Sequence, residues 1–410
     1  MHIALFTDFH PDTLGGVQTA QRALCDGLRG RGHRVSVFTA PAPGSGDSDD
    51  TIPLRTVPLS MNNGLPVVLP TRANRRLLDA AFAERGPVDV VHTLTTYGVG
   101  IAGVRAARRH GVPVVQSMQS RDDTMIEKYS PSPYFAALTM RMLHGWFVPL
   151  RGDQRHDGDG RTARLAWRPL LAQAQSADRV VVPTEHFARR LAARGVDRPI
   201  HVVSNGIDDA LLDRVRRAER AAPATGAPLR VLWCGRFSAE KRPLEAIEAV
   251  RLTEHCTLDV YGNGPLADQV GAAADAAGER VRLHGAVTQA EILAAMRAHD
   301  VLLLTSDCDT QGMVLLEAVA TGLPIVFCDP ELSETVPEGG GVRTGDPTVR
   351  AFADVLGALA TDRARLGAMR EVLAASGDEP RQSRHLDRLL SVYQDAVAVT
   401  GRGVSRRTGG

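Results

Sequence analysis

The chain has 410 residues, of which 48 are basic and 47 acidic, and only 4% are aromatic. That near-neutral balance removes the electrostatic case for a nucleic-acid partner, and the scarcity of aromatics removes stacking platforms for bases. The five cysteines show no CxxC spacing, which fits a reduced cytoplasmic protein and excludes a zinc ribbon or a disulfide framework.

The opening MHIALFTDFHPD reaches Asp8 too early for a signal peptide. No apolar run approaches the ~18 residues that a spanning helix needs. The expected location is therefore the cytoplasm, with peripheral contact at the inner membrane face left open. The N-terminal region alternates short β-rich runs with helical patterns. Ile3–Thr7, Val35–Thr39, Val88–Thr93, Val112–Ser117, Arg179–Thr184 and His201–Asn205 read as buried strands. Val17–Arg31, Gly100–His110 and Glu185–Arg194 read as helices between them. Strand and helix in alternation imply a parallel sheet covered on both faces. The first turn carries Gly15 and Gly16, which either let a phosphate or sugar approach the backbone or simply make a tight turn.

From Ser130 to Trp167 the rhythm breaks. Arg141 to Arg168 holds six Arg and three Asp beside Trp146 and Phe147. This reads as a solvated insertion, or as a basic, Trp-bearing surface for an acceptor or anionic lipid. Residues 210–227 read as an interdomain linker with a short helix. The βα rhythm then restarts. Strands are expected at Leu229–Gly235, Thr257–Tyr261, Val281–His284, Asp300–Thr305 and Pro324–Phe327, and helices at Pro243–Leu252, Ala267–Ala276, Gln289–His299 and Gly312–Thr321. Helical stretches at Val349–Met369 and Arg381–Val397 close the chain before a Gly/Arg tail. The expected domains are 1–207 and 208–380, a C-terminal helix over 381–400 packing near their junction, and a disordered tail over 401–410.

Three stretches carry chemistry. In VLWCGRFSAEKRP, Arg236 and Lys241 stand at a strand end and a helix start, as a fork and a point charge that suit a diphosphate. Lys241 is one of only two lysines in the chain. Tyr261-Gly-Asn-Gly264-Pro265 is a weak dinucleotide fingerprint and reads better as a tight turn. In LTSDCDTQGMVLLEAVATGLP, a strand leads through an acidic loop into a helix opened by Gly312, with Glu317 eight residues beyond Asp309. Carboxylates beside the free amides of Gly312, Met313 and Val314 suit a sugar or a ribose. Taken alone, the stretch also fits a capped helix whose acids complement its dipole. DxD spellings occur at Asp47/Asp49, Asp157/Asp159 and Asp307/Asp309. With Arg236 and Lys241 supplying positive charge, no metal is expected. GxSxG, HExxH and Walker A motifs are absent, which removes P-loop phosphoryl transfer.

Together, CGRFSAEKRP, YGNGP, VRLHGAVTQAEI, DTQGMVLLEAVATGLPIV and the early GGVQ loop resemble the large retaining GT-B glycosyltransferase family of glycogen and sucrose synthase relatives and phosphatidylinositol mannosyltransferases, the family 4 type. The resemblance spans roughly residues 1–395. It implies an α/β GT-B fold of two doubly wound Rossmann-like domains facing a cleft, acceptor on the first and nucleotide-sugar donor on the second. By the same resemblance Arg236 and Lys241 bind the leaving diphosphate. Glu317 holds the ribose, Asp309 contacts donor-sugar hydroxyls, and the amides of Gly312, Met313 and Val314 meet sugar or phosphate. Gly15 and Gly16 close over the donor phosphates. Gln119 and Arg121 lie on the acceptor or sugar side.

The family pattern is not followed throughout. Asp309 is one methylene shorter than the usual Glu, and Gln119 stands where the family often has a His, so it cannot carry a proton. The implied reaction is retaining transfer of a hexose from a UDP- or GDP-linked sugar to an acceptor alcohol, lipid-linked or a small-molecule glycoside, without cofactor. A non-catalytic sugar-nucleotide or lipid-surface binding protein and a nucleotide-sugar epimerase are the alternatives. Nothing in the sequence reports the oligomeric state.

Overall fold

A computed structural model describes residues 1–11, 16–42, 50–60, 66–150, 156, 158–217 and 226–407. It divides into two compact units, Met1–Ser204 with His385–Gly410, and Asn205–Arg384.

Unit 1 contains β1 (His2–Thr7), α1 (Gly16–Gly30), β2 (Arg34–Thr39), β3 (Thr51–Pro53), β4 (Thr56–Ser60), β5 (Pro66–Val68), α2 (Arg72–Glu84), β6 (Val90–Thr93), α3 (Gly98–His110) and β7 (Val114–Ser117). It continues with α4 (Asp122–Tyr129), α5 (Pro133–Phe147), α6 (Arg161–Ser176), β8 (Arg179–Val182), α7 (Glu185–Ala193) and β9 (Ile200–Val202). Seven strands form one sheet in the order β3-β2-β1-β6-β7-β8-β9, every pair parallel. β4 and β5 form a separate antiparallel pair. Alternate residues of β1 feed two cores: Ala4 and Phe6 pack with α2, α3 and α6, whereas Ile3 and Leu5 pack with α1 and the C-terminal helix. Both faces are thus covered, which is why β1 reads as an unbroken apolar run instead of an alternating one.

Unit 2 contains α8 (Asp209–Arg217), β10 (Leu229–Cys234), α9 (Pro243–Arg251), β11 (Cys256–Tyr261), α10 (Ala267–Ala277), β12 (Val281–Gly285), α11 (Gln289–Ala298), β13 (Val301–Leu304), α12 (Met313–Thr321), β14 (Ile325–Phe327), β15 (Gly341–Arg343), α13 (Val349–Thr361) and α14 (Arg363–Ser376). Its parallel sheet has the order β12-β11-β10-β13-β14-β15. Trp233 and Val231 face the core under α9 and α13, while Leu232 and Leu302 face the core under α11 and α12.

Three expectations are refined. The stretch expected as one helix over 349–369 is two, because Asp362 leaves helical geometry and caps α14 by accepting from the Arg365 amide. The expected linker is helical as far as Arg217, and residues 218–225 lie outside the described ones. The tail expected to be disordered from 401 is instead helical as far as Arg407. There α15 (Gln382–Arg407) continues the helix.

Asp300 anchors the lower edge of unit 2. It is fully buried, and its carboxylate accepts from the Arg230 amide at 3.0 Å, from Arg230 and Arg370 guanidinium nitrogens at 3.0 Å, and from Arg363 at 3.3 Å. Burial alone would raise its pKa, but the Arg230 bonds hold it below the ordinary carboxylate value. Asp300→Ala is expected to lower stability by about 2 kcal/mol in urea unfolding followed by circular dichroism. That is under the range for fully buried pairs because the arginines are 23–35% exposed. A depressed folded pKa stabilises above the unfolded value. The wild-type advantage should therefore be intact at neutral pH and shrink as pH falls below about 4.

Candidate functional site

In unit 2, β10 lies between β11 and β13, so the strand order reverses beside it. Val231 pairs with Val301 and Leu232 with Leu302, which makes the loops leaving β10 and β13 neighbours at one end of the sheet. Such a reversal is where open α/β sheets bind ligands. One of these loops carries Arg236 and Lys241; the other carries Asp307, Asp309 and Gly312.

The β10 loop is pinned from below. The Gly235 amide donates to Tyr261 O at 3.0 Å and the Phe237 amide to Asn263 O at 2.9 Å. A Cβ on Gly262 would lie 1.9 Å from Gly235 O, and one on Gly264 would lie 2.6 Å from Phe237 O. The glycines of YGNGP therefore let two turns lie against each other. Lys241 ends a short 3-10 turn (Ala239–Lys241), followed by Arg242 in the left-handed region at φ 55. Thr305, just after β13, holds this loop: its hydroxyl proton is shared between Lys241 O at 2.8 Å and Arg242 O at 2.9 Å while its oxygen accepts from Trp233 Nε1 at 3.0 Å. The Arg242 guanidinium donates to Thr305 O at 3.2 Å and Pro347 O at 2.6 Å. These bonds offset a backbone conformation costing on the order of 1–2 kcal/mol.

Lys241 Nζ donates to Asp309 Oδ1. Burial works against the ammonium, but the Asp309 carboxylate outweighs it and holds the Lys241 pKa above its ordinary value. Asp309 Oδ2 is buried and has no hydrogen-bond partner among the described residues, and the same is true of Ser306 Oγ on this loop. A buried orphan acceptor on a carboxylate is costly until a donor meets it. Gly312 stands at φ 73 ahead of α12, no side chain caps the helix, and the amides of residues 312–314 have no partner among the described residues. Gly322 in the left-handed conformation ends it, with the Leu323 amide closing on Ala318 O.

Glu317 lies one turn into α12 and is 8% exposed. Its Oε1 accepts from Gln289 Nε2 at 2.8 Å. Burial pushes its pKa up to about 7, opposed by the Gln289 bond. Arg236 is exposed at the rim.

Sequence reasoning placed Lys241, Asp309, Gly312, Met313, Val314 and Glu317 on separate motifs; the structure sets Lys241 against Asp309 and joins the rest through one loop and helix. It missed three supporting residues. Gln289 holds Glu317. Gln311 accepts from the Asn205 amide at 3.2 Å and side chain at 3.0 Å. Asp259 bridges His284 at 2.5 Å and His299 at 2.9 Å, with Tyr261 stacked on His284 at 4.4 Å. The strand-end position of Thr305 and the TQG sequence were the available signals for the loop.

The remaining candidates lie in unit 1. Gly16 is the first residue of α1, and Gly15 falls outside the described residues. Gln119 is half-buried after β7. Arg121, 8% exposed, donates to Asp123 at 3.1 Å and Thr124 at 2.6 Å, so much of its fork is engaged within unit 1. Asp8, fully enclosed at the end of β1, accepts from Thr95 at 2.5 Å and the Val99 amide at 3.0 Å. Of the DxD spellings, Asp309 is held by Lys241 and Asp159 by Arg194, while Asp47, Asp49 and Asp157 lie outside the described residues. Among the described residues no cluster of His, Cys, Asp or Glu could hold a metal ion. No described helix is long and apolar enough to cross a membrane.

Residues 14–211 match the family model described as Glycosyltransferase Family 4, and residues 228–362 match Glycosyl transferases group 1. The chain is 28% identical to D-inositol 3-phosphate glycosyltransferase 1 of Catenulispora acidiphila, over 94% of this chain and 91% of that one. Sucrose-phosphate synthase from Thermosynechococcus elongatus has the same fold, with a TM-score of 0.70 at 20% identity over 97% of this chain and 99% of that one. Anabaena Alr3699/HepE in complex with UDP-glucose follows at 0.66 and 15%, covering 96% and 100%.

Proposed function

This chain belongs to the GT-B glycosyltransferases of the family 4 type, and from that premise we propose that it moves a hexose from a UDP- or GDP-linked sugar to an acceptor hydroxyl with retention of anomeric configuration. The observation that carries the reading is the unsatisfied polar end of unit 2. A buried carboxylate oxygen of Asp309, the free amides at the start of α12 and the exposed fork of Arg236 lie on the adjoining loops of one strand-order reversal. Sugar hydroxyls donate to Asp309 Oδ2, the diphosphate lies on the amides with Arg236 and Lys241, and the ribose diol donates to Glu317. The arginine and lysine supply the positive charge that the leaving group needs, so the reaction is read as independent of metal. UDP-glucose in the Anabaena complex supports a uridine donor, and the name of the Catenulispora relative supports a polyol acceptor. Gln119 and Arg121 are the groups expected to recognise the acceptor, whether a small glycoside or a lipid-linked alcohol.

The chemistry follows from what the carboxylates can no longer do. In this reading Asp309 is tied to Lys241 through Oδ1 and accepts sugar hydroxyls at Oδ2, and Glu317 is buried against the ribose, so neither serves as the nucleophile. The bond from the anomeric carbon to the phosphate oxygen breaks. The acceptor oxygen bonds to that carbon on the same face, and its proton passes to the departing diphosphate. Arg236 and Lys241 stabilise the charge that develops there. A thermal-shift screen of UDP-, GDP- and ADP-sugars should find one donor class that raises Tm, because a ligand bound to the native state stabilises it. NMR of the product from that α-linked donor should show an α-linkage. A β-linked product overturns retention, a changed sugar recovered without acceptor indicates an epimerase, and no donor turnover leaves only a binding protein.

A further inference from the structure

We propose that the outer face of α5 docks the enzyme on an anionic bilayer surface. Tyr134, Phe135, Met142, Leu143 and Trp146 all belong to α5, and they are 46%, 68%, 55%, 47% and 76% exposed. Elsewhere in the described chain only Leu252, Leu283 and Val399 are comparably open large apolar side chains, and they are scattered. Phe135, Leu138, Met142 and Trp146 recur at three- and four-residue spacing and therefore share one face of the helix. The opposite face carries the buried Ala137 and His144 and packs on α6. A run of aromatic and long aliphatic side chains left in water on an otherwise packed unit marks an interaction surface.

Charge selects the partner. α5 and α6 carry Arg141, Arg161, Arg164 and Arg168 and not one Asp or Glu, in a chain with 47 acids. Between the helices runs a groove of about 440 Å³, walled by Leu138, Met142, Trp146 and Pro149 and flanked by Arg141 and Arg168; no acid lines it. Aromatic and aliphatic side chains on one face with arginines at its border are the composition of a helix lying in the headgroup layer. Trp146 is suited to the interface, where its ring sits among glycerol groups and its indole N–H finds an acceptor. A lipid phosphate fits the arginine-flanked mouth of the groove while an acyl segment covers its apolar wall. This surface lies outside the residues assigned to donor chemistry, so the inference stands apart from the proposed reaction.

The test uses full-length protein and vesicles with no sugar nucleotide present. Trp167 and Trp233 are each 1% exposed, so a blue shift of tryptophan emission on adding vesicles reports Trp146. Phosphatidylglycerol-containing vesicles are expected to give the shift and to co-sediment the protein, phosphatidylcholine vesicles to do so far more weakly, and added salt to weaken both. Arg141→Glu with Arg168→Glu should weaken vesicle affinity on the order of 30-fold. Phe135→Ser with Trp146→Ser should abolish sedimentation. Both variants should keep wild-type turnover of a water-soluble acceptor, because the substituted side chains are outside the core and the donor site. Absence of sedimentation with anionic vesicles overturns the proposal. So does a dimer in analytical ultracentrifugation that the Phe135/Trp146 variant dissociates, since the face would then belong to a second copy of the chain.

Discussion

Lys241→Ala is expected to lower kcat/KM for sugar transfer on the order of 100-fold, the usual consequence of removing one preorganised charge from a developing anion. Lys241 is fixed before donor arrives, since Thr305 holds its carbonyl and Asp309 holds its ammonium. Side-chain exposures of 28% for Lys241 and 14% for Asp309 keep the field little screened by water. The substitution also leaves the Asp309 carboxylate, already short of a partner at Oδ2, without one at Oδ1. Part of the loss will therefore come from Asp309, and Asp309→Asn in the same background separates the two contributions through a double-mutant cycle. Lys241→Arg should recover little, because a planar fork does not fit where a single point charge is enclosed. Arg236→Ala should cost less, about tenfold, because Arg236 is exposed and acts through water. Steady-state kinetics of the Lys241→Ala enzyme within about threefold of wild type would falsify the leaving-group assignment.

How far these residues were legible follows from how local their signals are. Strand ends, the Gly312 turn and the acid eight residues beyond Asp309 are neighbours in sequence, and the 2.0 and 3.6 periodicities locate them without tertiary information. The pairing of Lys241 with Asp309 spans 68 residues, and that of Gln289 with Glu317 spans 28. These arise from strand order, which periodicity does not report. YGNGP was legible as a turn, but the approach of Gly262 to Gly235 that explains its glycines is a contact between two loops. The α5 face was visible only as a Trp-bearing patch, because an apolar helix residue looks the same whether it is packed or left in water. The tail misled for a different reason. Glycines at 401 and 403 lower helix propensity, yet α15 has been nucleated far upstream and extends through them.

Glu317→Gln is expected to move stability and donor affinity in opposite directions. The folded protein holds the Glu317 proton more tightly than the unfolded chain, with a pKa of about 7 against an ordinary value of 4.5. Between those values the native state carries more protons, so stability falls as pH rises through the window and stays reduced above it. The total is about 3–4 kcal/mol, since every tenfold gain in proton affinity on folding is worth about 1.4 kcal/mol. Glutamine is isosteric, keeps an acceptor for Gln289 and never ionises. The variant should therefore match wild type near pH 4 and melt roughly 5–10 °C higher at pH 8. Donor binding runs the other way. A vicinal ribose diol presents two hydroxyl donors, and only the ionised carboxylate accepts both with full charge. Wild-type donor affinity should rise with pH through about 7 and then level. In Glu317→Gln that dependence should vanish, and affinity at pH 8 should fall about 10- to 100-fold, the worth of a charge-assisted bond. Calorimetric titration with the donor at several pH values and thermal melts of the same samples read both effects. If the variant binds donor as wild type does, Glu317 is not the ribose acceptor. If it is destabilised at pH 8, its burial is compensated by a contact other than Gln289. A stable variant with poor donor affinity would mean that the site holds a buried carboxylate against its own folding equilibrium, for the sake of the ligand.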